Sequence, residues 1–280
     1  MLNMDQVSVI IPTYNRAELL VRALESVIHQ DDFEGEIVVI DDGSTDSTRE
    51  LLEKYIKRYG VIYRYIVNSG PAKARNIGVD LASHSLIAFL DSDDHWKRDK
   101  LKKQTRLLKE NPQFRICHTG EKWLRRGKHL NQKKIHIPRH GDIFNHCVVL
   151  CAVGFSTVLM EKSLYHEFSG LDTSMPCCED YDFWLRISSS YQFLLHPEQL
   201  TIKEGGRPDQ LSMQFRIGID KYRIYALKKF LDNYRSDHDR RKIVVDELQR
   251  KCKVYGRGCM KHGKTEEGEY YSSLSEKYSY

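Results

Sequence analysis

Carboxylate side chains follow two short apolar runs of this 280-residue chain. Asp41 and Asp42 come directly after one run, and Asp91 and Asp93 lie directly after another. Carboxylates gathered at one edge would repel each other, and a hard divalent cation, which prefers oxygen ligands and often bridges to phosphate, would relieve that repulsion. The residue types and their spacing therefore predict an enzyme that handles a metal and a phosphate group.

The elements that must position these aspartates follow from the apolar pattern. Short, continuous runs rich in branched residues at 7–11, 36–40 and 86–90 are typical of strands buried on both faces of a parallel sheet. Segments with helical periodicity separate or follow them, at 16–29, 47–56, 72–82 and 98–109. This β-α-β-α order predicts an α/β fold whose parallel sheet is covered by helices on both faces, with ligands bound beyond the carboxyl ends of the strands.

The second half of the chain is predicted to be less regular and then helical. The segment 121–142 is polar and basic and contains Gly and Pro, which indicates a hairpin or a long loop. Further short strands are predicted at 61–67, 114–119, 193–195 and 200–203. Helical spacing predicts helices at 180–188, 210–234, 240–261 and 265–278.

Charge is uneven along the sequence. The chain has 44 Lys and Arg against 39 Asp and Glu, a formal net charge of +5. Residues 122–141 include seven basic residues and no acidic one, and residues 235–264 include ten basic and four acidic ones. Solvated charged faces explain such runs as readily as contact with an anionic acceptor or a peripheral membrane surface. Nucleic acid is not predicted as a partner, because no recognisable nucleic-acid motif is present.

Two kinds of sequence feature that are missing indicate the cellular compartment in which the protein works. The seven cysteines lack the spacing of a disulfide framework or of a zinc site, which favours reduced thiols. No apolar h-region precedes the first predicted strand, and no run approaches the length of a membrane span, so neither a signal peptide nor a transmembrane helix is predicted. We therefore expect a cytoplasmic protein that would meet a membrane only peripherally, at its inner face.

The usual nucleotide-binding loops are absent. A dinucleotide site needs G-x-G-x-x-G straight after the first strand, but residues 12–16 there are Pro-Thr-Tyr-Asn-Arg. No G-x-x-x-x-G-K-[ST] loop occurs in the sequence. Phosphates would have to be held in another way, and the aspartates together with a metal supply one.

Five segments, in matching order and spacing, resemble the family 2 glycosyltransferases, which have the GT-A fold. They are 9–16 (VIIPTYNR), 39–46 (VIDDGSTD), 68–78 (NSGPAKARNIG), 89–94 (FLDSDD) and 178–185 (CEDYDFWL). The last third of the chain matches only as a helical extension. The resemblance implies an α/β GT-A fold with a mainly parallel central sheet flanked by helices and a C-terminal helical extension.

The resemblance also implies an activity and a division of the chain. A nucleotide-sugar-binding half at 1–110 would be followed by an acceptor-binding and catalytic half at 111–208 and by a helical extension at 209–280, through which subunits could pair into a homo-oligomer. The family moves a sugar, with inversion, from a nucleotide-sugar donor, here expected to be a UDP-sugar. The expected acceptor is a hydroxyl of a carbohydrate or glycolipid, and the expected cofactor is Mn²⁺ or Mg²⁺.

Donor-binding residues are implied by the same segments. They are Pro12, Tyr14, Asn15, Arg16, Asp41, Arg75, Asn76, Asp91 and Ser92. Pro12 and Tyr14 would cradle the base, and Asp41 would accept a base N–H. Arg75 could instead form only a structural pair with an aspartate. Separately, the paired glycines and the proline of 205–208 predict a tight loop from which Arg207 could clamp the diphosphate, with a plain surface arginine as the alternative.

A metal ligand is implied at Asp93, with Asp91 of the same D-x-D motif facing the ion or the ribose. The cation would bridge the diphosphate and offset the charge that develops as the nucleotide leaves. His196 is a candidate for a third ligand by position only. In the alternative interpretation, Asp93 and Asp94 cap the following helix.

Catalysis is implied at the start of the helix predicted over 180–188. Inversion by a single displacement needs a carboxylate that takes the acceptor proton on the face opposite the leaving group, and Asp180 matches the family's base. Glu179 could assist it or simply favour the helix N-terminus, and Asp182 is a weaker alternative base. Trp184 could be a platform for the acceptor sugar or a buried packing residue.

Two other functions stay open at the level of sequence. The first is a degenerate GT-A domain that only binds a sugar or a partner, against which the intact Asp91, Asp93 and Asp180 argue. The second is a nucleotidyltransferase, which usually needs a glycine- and arginine-rich phosphate loop after the first strand. Detectable transfer or hydrolysis of a donor would separate an enzyme from a binding module.

Overall fold

The computed structural model describes residues 6–234 and 237–278. Its strands are β1 (Gln6–Thr13), β2 (Glu34–Asp41), β3 (Ile62–Tyr65), β4 (Leu86–Phe89), β5 (His95–Trp96), β6 (Ile116–Arg125), β7 (Lys128–His129), β8 (Leu159–Glu161) and β9 (Leu194–Gly205). They form one sheet in the order β3-β2-β1-β4-β8-β6-β9-β5, with β7 paired to β6.

Helices cover this sheet and extend beyond it. They are α1 (Ala17–Ile28), α2 (Thr48–Tyr59), α3 (Pro71–Leu81), α4 (Lys100–Glu110), α5 (Phe144–Val149), α6 (Lys162–Glu167), α7 (Glu179–Ser188), α8 (Leu211–Gln214), α9 (Ile219–Asn233), α10 (His238–Lys261) and α11 (Thr265–Lys277). Short 3₁₀ turns occur at Lys134–His136 and Phe155–Thr157.

The first four strands in the sheet order are parallel. β1 pairs in parallel with β2 and with β4, and β2 pairs in parallel with β3. Beyond β4 the sheet is mixed, because β8 runs antiparallel to β4 and β6, whereas β6 and β9 are parallel. The predicted α/β class with a mainly parallel central sheet and flanking helices is confirmed.

Alternate residues of the parallel strands enter two different cores, one on each face of the sheet. Ile10 and Val38 lie in the core that includes residues of α3 and α7. Val9 and Val39 lie in the core that includes residues of α1, α2 and α4. Both faces of these strands are therefore buried, which explains why their sequences are continuously apolar rather than alternating.

The predicted C-terminal helical extension is confirmed, and a third core joins it to the rest of the protein. Tyr181 and Leu185 of α7 share this core with Leu227 of α9 and Leu248 of α10. Phe144 of α5 also belongs to it. The extension therefore packs against the same helix that begins at the predicted catalytic residues.

At the start of α2, Asp46 Oδ1 accepts hydrogen bonds from the Thr48 N–H at 3.1 Å and from its hydroxyl at 2.5 Å. Two local predictions were wrong. The two short strands predicted near 193–203 are one strand, β9, with register shifts where it passes Gly120. The helix predicted over 210–234 is interrupted, because Gly218 has a φ of 90° and separates α8 from α9.

The basic segment after β6 begins with a tight hairpin. Arg126 and Gly127 both have positive φ, 53° and 74°, the geometry of a two-residue type I′ turn that matches the twist of the flanking strands. Arg125 and Lys128 pair across this turn. On the other side of β6, Arg125 lies opposite Gly205 of β9, so the hairpin continues the main sheet.

Two further observations concern the setting of the protein. Among residues 6–234 and 237–278, no helix has both the length and the apolar character needed to cross a bilayer. Within the same residues, all seven cysteines are free thiols, and Cys151 alone among them is not fully buried.

Candidate functional site

The predicted donor residues meet at the carboxyl edge of β1, β2 and β4. Thr13, the last residue of β1, pairs with Asp41, the last residue of β2. Ile10 of β1 pairs with Phe89 of β4, so the turn that carries Asp91 leaves the sheet beside β1. Neighbouring parallel strands end at the same edge, which is why residues far apart in sequence come together here.

Asp41 and Asp42 have different roles at this edge. Asp41 is buried, and its two carboxylate oxygens accept hydrogen bonds from the Ser44 N–H and the Tyr63 hydroxyl, each at 2.8 Å. Asp42 accepts the Gly70 N–H at 2.8 Å and so holds the start of α3. Burial, with a contribution from the charge of Asp41, raises the pKa of Asp42. Asp41 is thus held rigidly at the edge, and Asp42 organises a loop.

The segment after β1 supplies an exposed aromatic ring next to Asp41. Tyr14 is 47% exposed, whereas Pro12 before it is buried. Asn15 has a φ of 49°, which asparagine tolerates better than most residues. Its N–H donates to Ser44 Oγ at 2.9 Å, and its Oδ1 accepts the Thr45 N–H at 2.7 Å. Asn15 thereby ties the two loops together and leaves the Tyr14 ring accessible.

Arg75 connects the donor-side turn to the helix α7. Its Nη2 donates to Asp91 Oδ1 at 2.6 Å, and its Nη1 donates to Glu179 Oε1 at 3.0 Å. The guanidinium carbon lies 4.5 Å from the centre of the Phe155 ring. Burial alone would lower the pKa of Arg75, but the charges of Asp91 and Glu179 outweigh it and raise that pKa. The structural pair anticipated as the alternative role of Arg75 is therefore present.

Asp93 lies among cationic and amide groups. Its Oδ2 accepts hydrogen bonds from Arg207 Nη2 at 2.5 Å and from Gln210 Nε2 at 3.1 Å, and Arg16 Nη1 lies 3.4 Å away. Burial alone would raise the pKa of Asp93, but the charge of Arg16 and the hydrogen bond from Arg207 lower it. Asp209 forms ion pairs with both arginines. Asp93 is thus an ionised carboxylate held by segments far apart in the chain.

The neighbouring Asp94 has the opposite character. It is fully buried, and its Oδ2 accepts the Ser156 hydroxyl at 2.7 Å, while Ser156 Oγ accepts the Asp91 N–H at 3.0 Å. Burial, aided by the charges of Asp93 and Asp91 and opposed by Lys203, raises the pKa of Asp94 well above its usual value. Strand β5 separates this turn from α4, so neither Asp93 nor Asp94 caps that helix, and the capping alternative was wrong.

Helix α7 begins at the predicted catalytic residues. Its N-cap, Cys178, has a φ of 62°, an uncommon conformation for a residue other than glycine. Asp180 is partly exposed, and its Oδ1 accepts the Tyr181 N–H at 2.7 Å. Glu179 is buried, and burial together with the charge of Asp180 raises its pKa to about 7, although Arg75 opposes this rise. The two adjacent carboxyl groups therefore differ in exposure, and the buried Glu179 is the one whose pKa is raised.

Trp184 does not face an acceptor. The ring is fully buried, and its centre lies 4.7 Å from that of Phe155 and 5.0 Å from that of Phe183. A sugar platform needs an exposed ring face, so the prediction of an acceptor-binding Trp184 was wrong and the packing alternative describes it. The third core covers the outer side of α7, which removes the exposed face that an isolated amphipathic helix would keep.

Other side chains near the site are committed to the protein itself. The Asn76 amide donates to the Leu171 carbonyl at 2.9 Å and accepts the Tyr165 hydroxyl at 2.5 Å, so it braces the loop before α7 instead of facing a nucleoside. Asp182 is buried and accepts Arg186 Nε at 2.9 Å, which excludes it as the base. Ser92, a predicted donor-binding residue, is also buried, with only 2% of its surface exposed.

Lys203 and Tyr63 lie in the site but were not predicted there. The charge of Glu121 raises the pKa of Lys203 against burial, and Asp94 and Asp91 add to the rise. The position of Lys203, at the end of a predicted strand and two residues before a pair of glycines, was a usable signal. Tyr63 carries no such signal, because only the pairing of β3 with β2 brings its hydroxyl to Asp41.

Comparison with known proteins identifies the domain. A family model described as Glycosyl transferase family 2 matches residues 8–165. The chain belongs to glycosyltransferase family 2. An uncharacterized glycosyltransferase of Rickettsia felis is 37% identical to it over 186 residues, 66% of this chain and 30% of that protein. WfgD of Escherichia coli, a UDP-Glc:alpha-D-GlcNAc-diphosphoundecaprenol beta-1,3-glucosyltransferase, is 33% identical over 188 residues, 65% of this chain and 69% of that protein. This family 2 chain thus spans less than a third of the rickettsial relative.

Solved structures confirm the GT-A fold of this family 2 chain. Staphylococcus aureus TarS 1-349 in complex with UDP-GlcNAc superposes with a TM-score of 0.70 at 20% identity, over 88% of this chain and 72% of that one. The mannosyltransferase PcManGT from Pyrobaculum calidifontis, solved with GDP-Man and Mn²⁺, superposes with a TM-score of 0.63 at 16% identity, over 96% and 79%. At these identities the likeness concerns the fold.

The family 2 site fits a divalent cation that is shared with a ligand better than one held by protein alone. In the part of the chain that the structure describes, no three His, Cys, Asp or Glu side chains are grouped to hold a metal. The charged groups that act on His196 are Glu198, Lys103 and Asp99 rather than Asp91 or Asp93, so His196 is not placed as a third ligand. Asp91 and Asp93 supply the hard carboxylate oxygens that Mn²⁺ and Mg²⁺ accept, and a diphosphate could supply further oxygens.

Proposed function

We propose that this chain is an inverting glycosyltransferase that uses a nucleotide-diphosphate sugar, first of all a UDP-sugar. The acceptor is a hydroxyl of a carbohydrate or glycolipid, and the product enters polysaccharide or glycolipid assembly. The observation that carries the proposal is the double contact of Arg75 with Asp91 at 2.6 Å and with Glu179 at 3.0 Å, because it sets the donor-side turn against the helix bearing Asp180. The donor named for WfgD and the UDP-GlcNAc bound to TarS support a UDP-sugar.

The donor diphosphate would lie over the turn that carries Asp91 and Asp93. Arg16 and Arg207 already converge on Asp93, and guanidinium groups bind phosphate oxygens in the same way as carboxylates. A divalent cation on Asp93 and Asp91 would, when bound, neutralise charge on the leaving diphosphate. The exposed ring of Tyr14 would stack on the base.

Asp180 would act as the general base. The acceptor oxygen attacks the anomeric carbon while the bond from that carbon to the diphosphate oxygen breaks, and the bonding electrons leave with the diphosphate. The acceptor proton passes to the Asp180 carboxylate, and attack opposite the leaving group inverts the anomeric configuration. Glu179 is buried and hydrogen-bonded to Arg75, so we assign it a positioning role rather than the proton transfer itself.

The proposal is tested by product release from a panel of nucleotide sugars. Release of a nucleoside diphosphate identifies sugar transfer or donor hydrolysis, and donor binding without turnover identifies a binding module. In a parallel assay, release of pyrophosphate from a nucleoside triphosphate and a sugar 1-phosphate identifies a nucleotidyltransferase. We expect Asp180→Asn to lower kcat by about 10² to 10⁴ and to keep donor affinity. Asp246→Asn, on the outer face of α10, is the matched control and should leave turnover unchanged.

The setting and the assembly of the protein are part of the same proposal. We place the reaction in the cytoplasm, with 1–110 serving the donor, 111–208 serving the acceptor and catalysis, and 209–280 forming a packing extension. Pairing of subunits through this extension stays a prediction. Light scattering on the purified chain, with and without donor, would measure the oligomeric state directly.

A further inference from the structure

Residues 122–139 form a basic and partly apolar surface, called here the hairpin surface. Its seven basic side chains are all exposed: Lys122, Arg125, Arg126, Lys128, Lys133, Lys134 and Arg139. Three aliphatic side chains lie among them, with Leu130 exposed by 41%, Ile135 by 45% and Ile137 by 53%. Exposed aliphatic groups interspersed with cations are the composition of an interfacial membrane-binding surface.

The charge of this surface is not neutralised from within the protein. Residues 122–139 contain no acidic residue, and no ion pair of the described residues involves any of the seven basic side chains. Several exposed cations elsewhere in the described residues do have carboxylate partners, as Arg98 does with Asp31 and Lys102 with Asp32. The hairpin surface therefore presents a local positive field that would attract an anionic partner.

The surface is held in place rather than suspended on a long loop. The type I′ turn fixes its tip, and Trp123 Nε1 donates to Glu121 Oε2 at 2.6 Å. The Trp123 and His136 rings lie 5.2 Å apart, and His146 Nε2 lies 2.7 Å from the Ile135 carbonyl oxygen. These contacts fix the basic and aliphatic side chains on one scaffold, which lowers the conformational entropy lost on binding.

The hairpin surface borders the donor site. Arg125 lies opposite Gly205 in the β6–β9 ladder, and a Cβ added to Gly206 would come within 2.9 Å of Arg125 Cγ. The next residue, Arg207, donates to Asp93. A surface on which the hairpin rests would therefore lie beside the place where we expect the diphosphate.

We propose that the hairpin surface binds an anionic lipid bilayer and so holds the donor site at the membrane surface. Cations would contact the lipid phosphates, and Leu130, Ile135 and Ile137 would enter the headgroup region. A nucleic acid would use the charges but leave the aliphatic side chains in water. The other basic segment is less suited, because Glu266 and Glu269 stand exposed near its end. The binding of lipid does not depend on the proposed reaction, whereas the placement of the donor site at the bilayer rests on it.

Flotation of the full chain with lipid vesicles tests the proposal. Vesicles of phosphatidylcholine with 30% phosphatidylglycerol should carry the protein to the top of the gradient, and vesicles of phosphatidylcholine alone should not. Each cation near an anionic bilayer strengthens binding by about fivefold. The triple variant Lys128→Glu, Lys133→Glu and Lys134→Glu should therefore lower the partition coefficient by at least about 100-fold.

A matched control uses three exposed cations of α10. The variant Lys253→Glu, Arg257→Glu and Lys261→Glu makes the same change in net charge on another surface and should float like the unchanged protein. Equal losses in the two triple variants would show a non-specific charge effect and overturn the proposal. Absence of flotation with the anionic vesicles would overturn it as well.

The aliphatic side chains give a second readout that charge alone cannot reproduce. Ile135→Ser with Ile137→Ser keeps every cation. It should weaken vesicle binding by about tenfold or more, because it removes two aliphatic groups that the bilayer would bury. Binding of a single-stranded RNA should be unaffected by the same change. If vesicle binding is also unaffected, the surface is a polyanion site and not a membrane surface. These measurements use neither a donor nor an activity assay. A negative result would therefore overturn the membrane proposal without bearing on the proposed reaction.

Discussion

Arg207 donates a hydrogen bond to Asp93 at 2.5 Å, although 114 residues separate them in the sequence. The arginine expected to hold the diphosphate thus pairs with the carboxylate expected to hold the metal. A donor complex that uses both residues must separate this pair, because each side chain then turns to its own ligand. The ion pair therefore competes with the donor. Removing it should change the affinity for the metal and the affinity for the nucleotide in opposite directions.

Arg207→Ala should weaken donor binding by about 10- to 100-fold, the usual cost of a lost hydrogen bond to a charged group. The same change frees Asp93, so the affinity for Mn²⁺ without donor should rise severalfold. Isothermal titration with Mn²⁺ alone and with UDP-sugar plus Mn²⁺ measures both effects. Arg98→Ala, which removes an exposed pair with Asp31, is the control. Equal donor affinity in the Arg207→Ala protein and the control would reduce Arg207 to a surface residue.

Arg75→Met should destabilise the fold by about 3–5 kcal/mol, because it leaves the buried Glu179 without its cation. The double variant Arg75→Met with Glu179→Gln should recover part of this loss, since no buried charge then lacks a partner. Urea unfolding of the wild type, both single variants and the double variant forms a complete cycle. Additive losses would mean that the two residues do not stabilise each other.

The pH dependence of stability should report on Glu179, whose pKa rises from the usual 4.5 to about 7. The folded protein binds this proton more tightly than the unfolded chain does. The contribution of Glu179 to stability is therefore complete below about pH 4.5 and is lost as the pH rises to about 7. Glu179→Gln removes the titration, so the difference in unfolding free energy between variant and wild type should grow in favour of the variant across that range. Parallel stability curves between pH 4.5 and 7 would contradict the shift.

Trp184→Ala should cost about 3–5 kcal/mol of stability, as expected for a large side chain removed from a packed core. Trp184→Phe should cost less and should leave the KM for the acceptor unchanged in the folded protein, because the ring does not reach the surface. Thermal melts and acceptor titrations distinguish the two roles. A raised acceptor KM in a well-folded Trp184→Phe protein would restore the role of a sugar platform.

Sequence reasoning correctly located the features that depend on a single strand, namely the strand itself and the carboxylates at its end. The strands that end at Asp41 and before Asp91 are buried on both faces, so their apolar runs are unambiguous and their ends locate the carboxylates. The five motifs then indicated the family that the comparisons confirm. Both results depend on segments of about ten residues whose pattern does not need knowledge of distant contacts.

Sequence reasoning failed for residues whose surroundings are formed by segments far away in the chain. The helix α7 has polar positions that suggested an exposed face, but the C-terminal helices cover Tyr181 and Leu185 on one side of it. The core beside the sheet buries Trp184 on another side. Lys203 enters the site only through the register of β9, which the sequence split into two strands. Asp94 could be taken for a helix cap because the intervening strand β5 has two residues and no readable pattern.

Because β6 and β9 are paired in a parallel ladder, a chimera must exchange the two strands together. Arg125 at the hairpin and Gly205, just before the loop that carries Arg207, are partners in this ladder. The pairing fixes the position of the hairpin relative to that loop. A graft of residues 121–139 from a relative would replace one side of that ladder and leave the other side with foreign partners. Residues 116–139 together with 194–207 would move as one cassette. Chimeras that aim to change the acceptor should therefore be cut around the strand pair instead of around the loop.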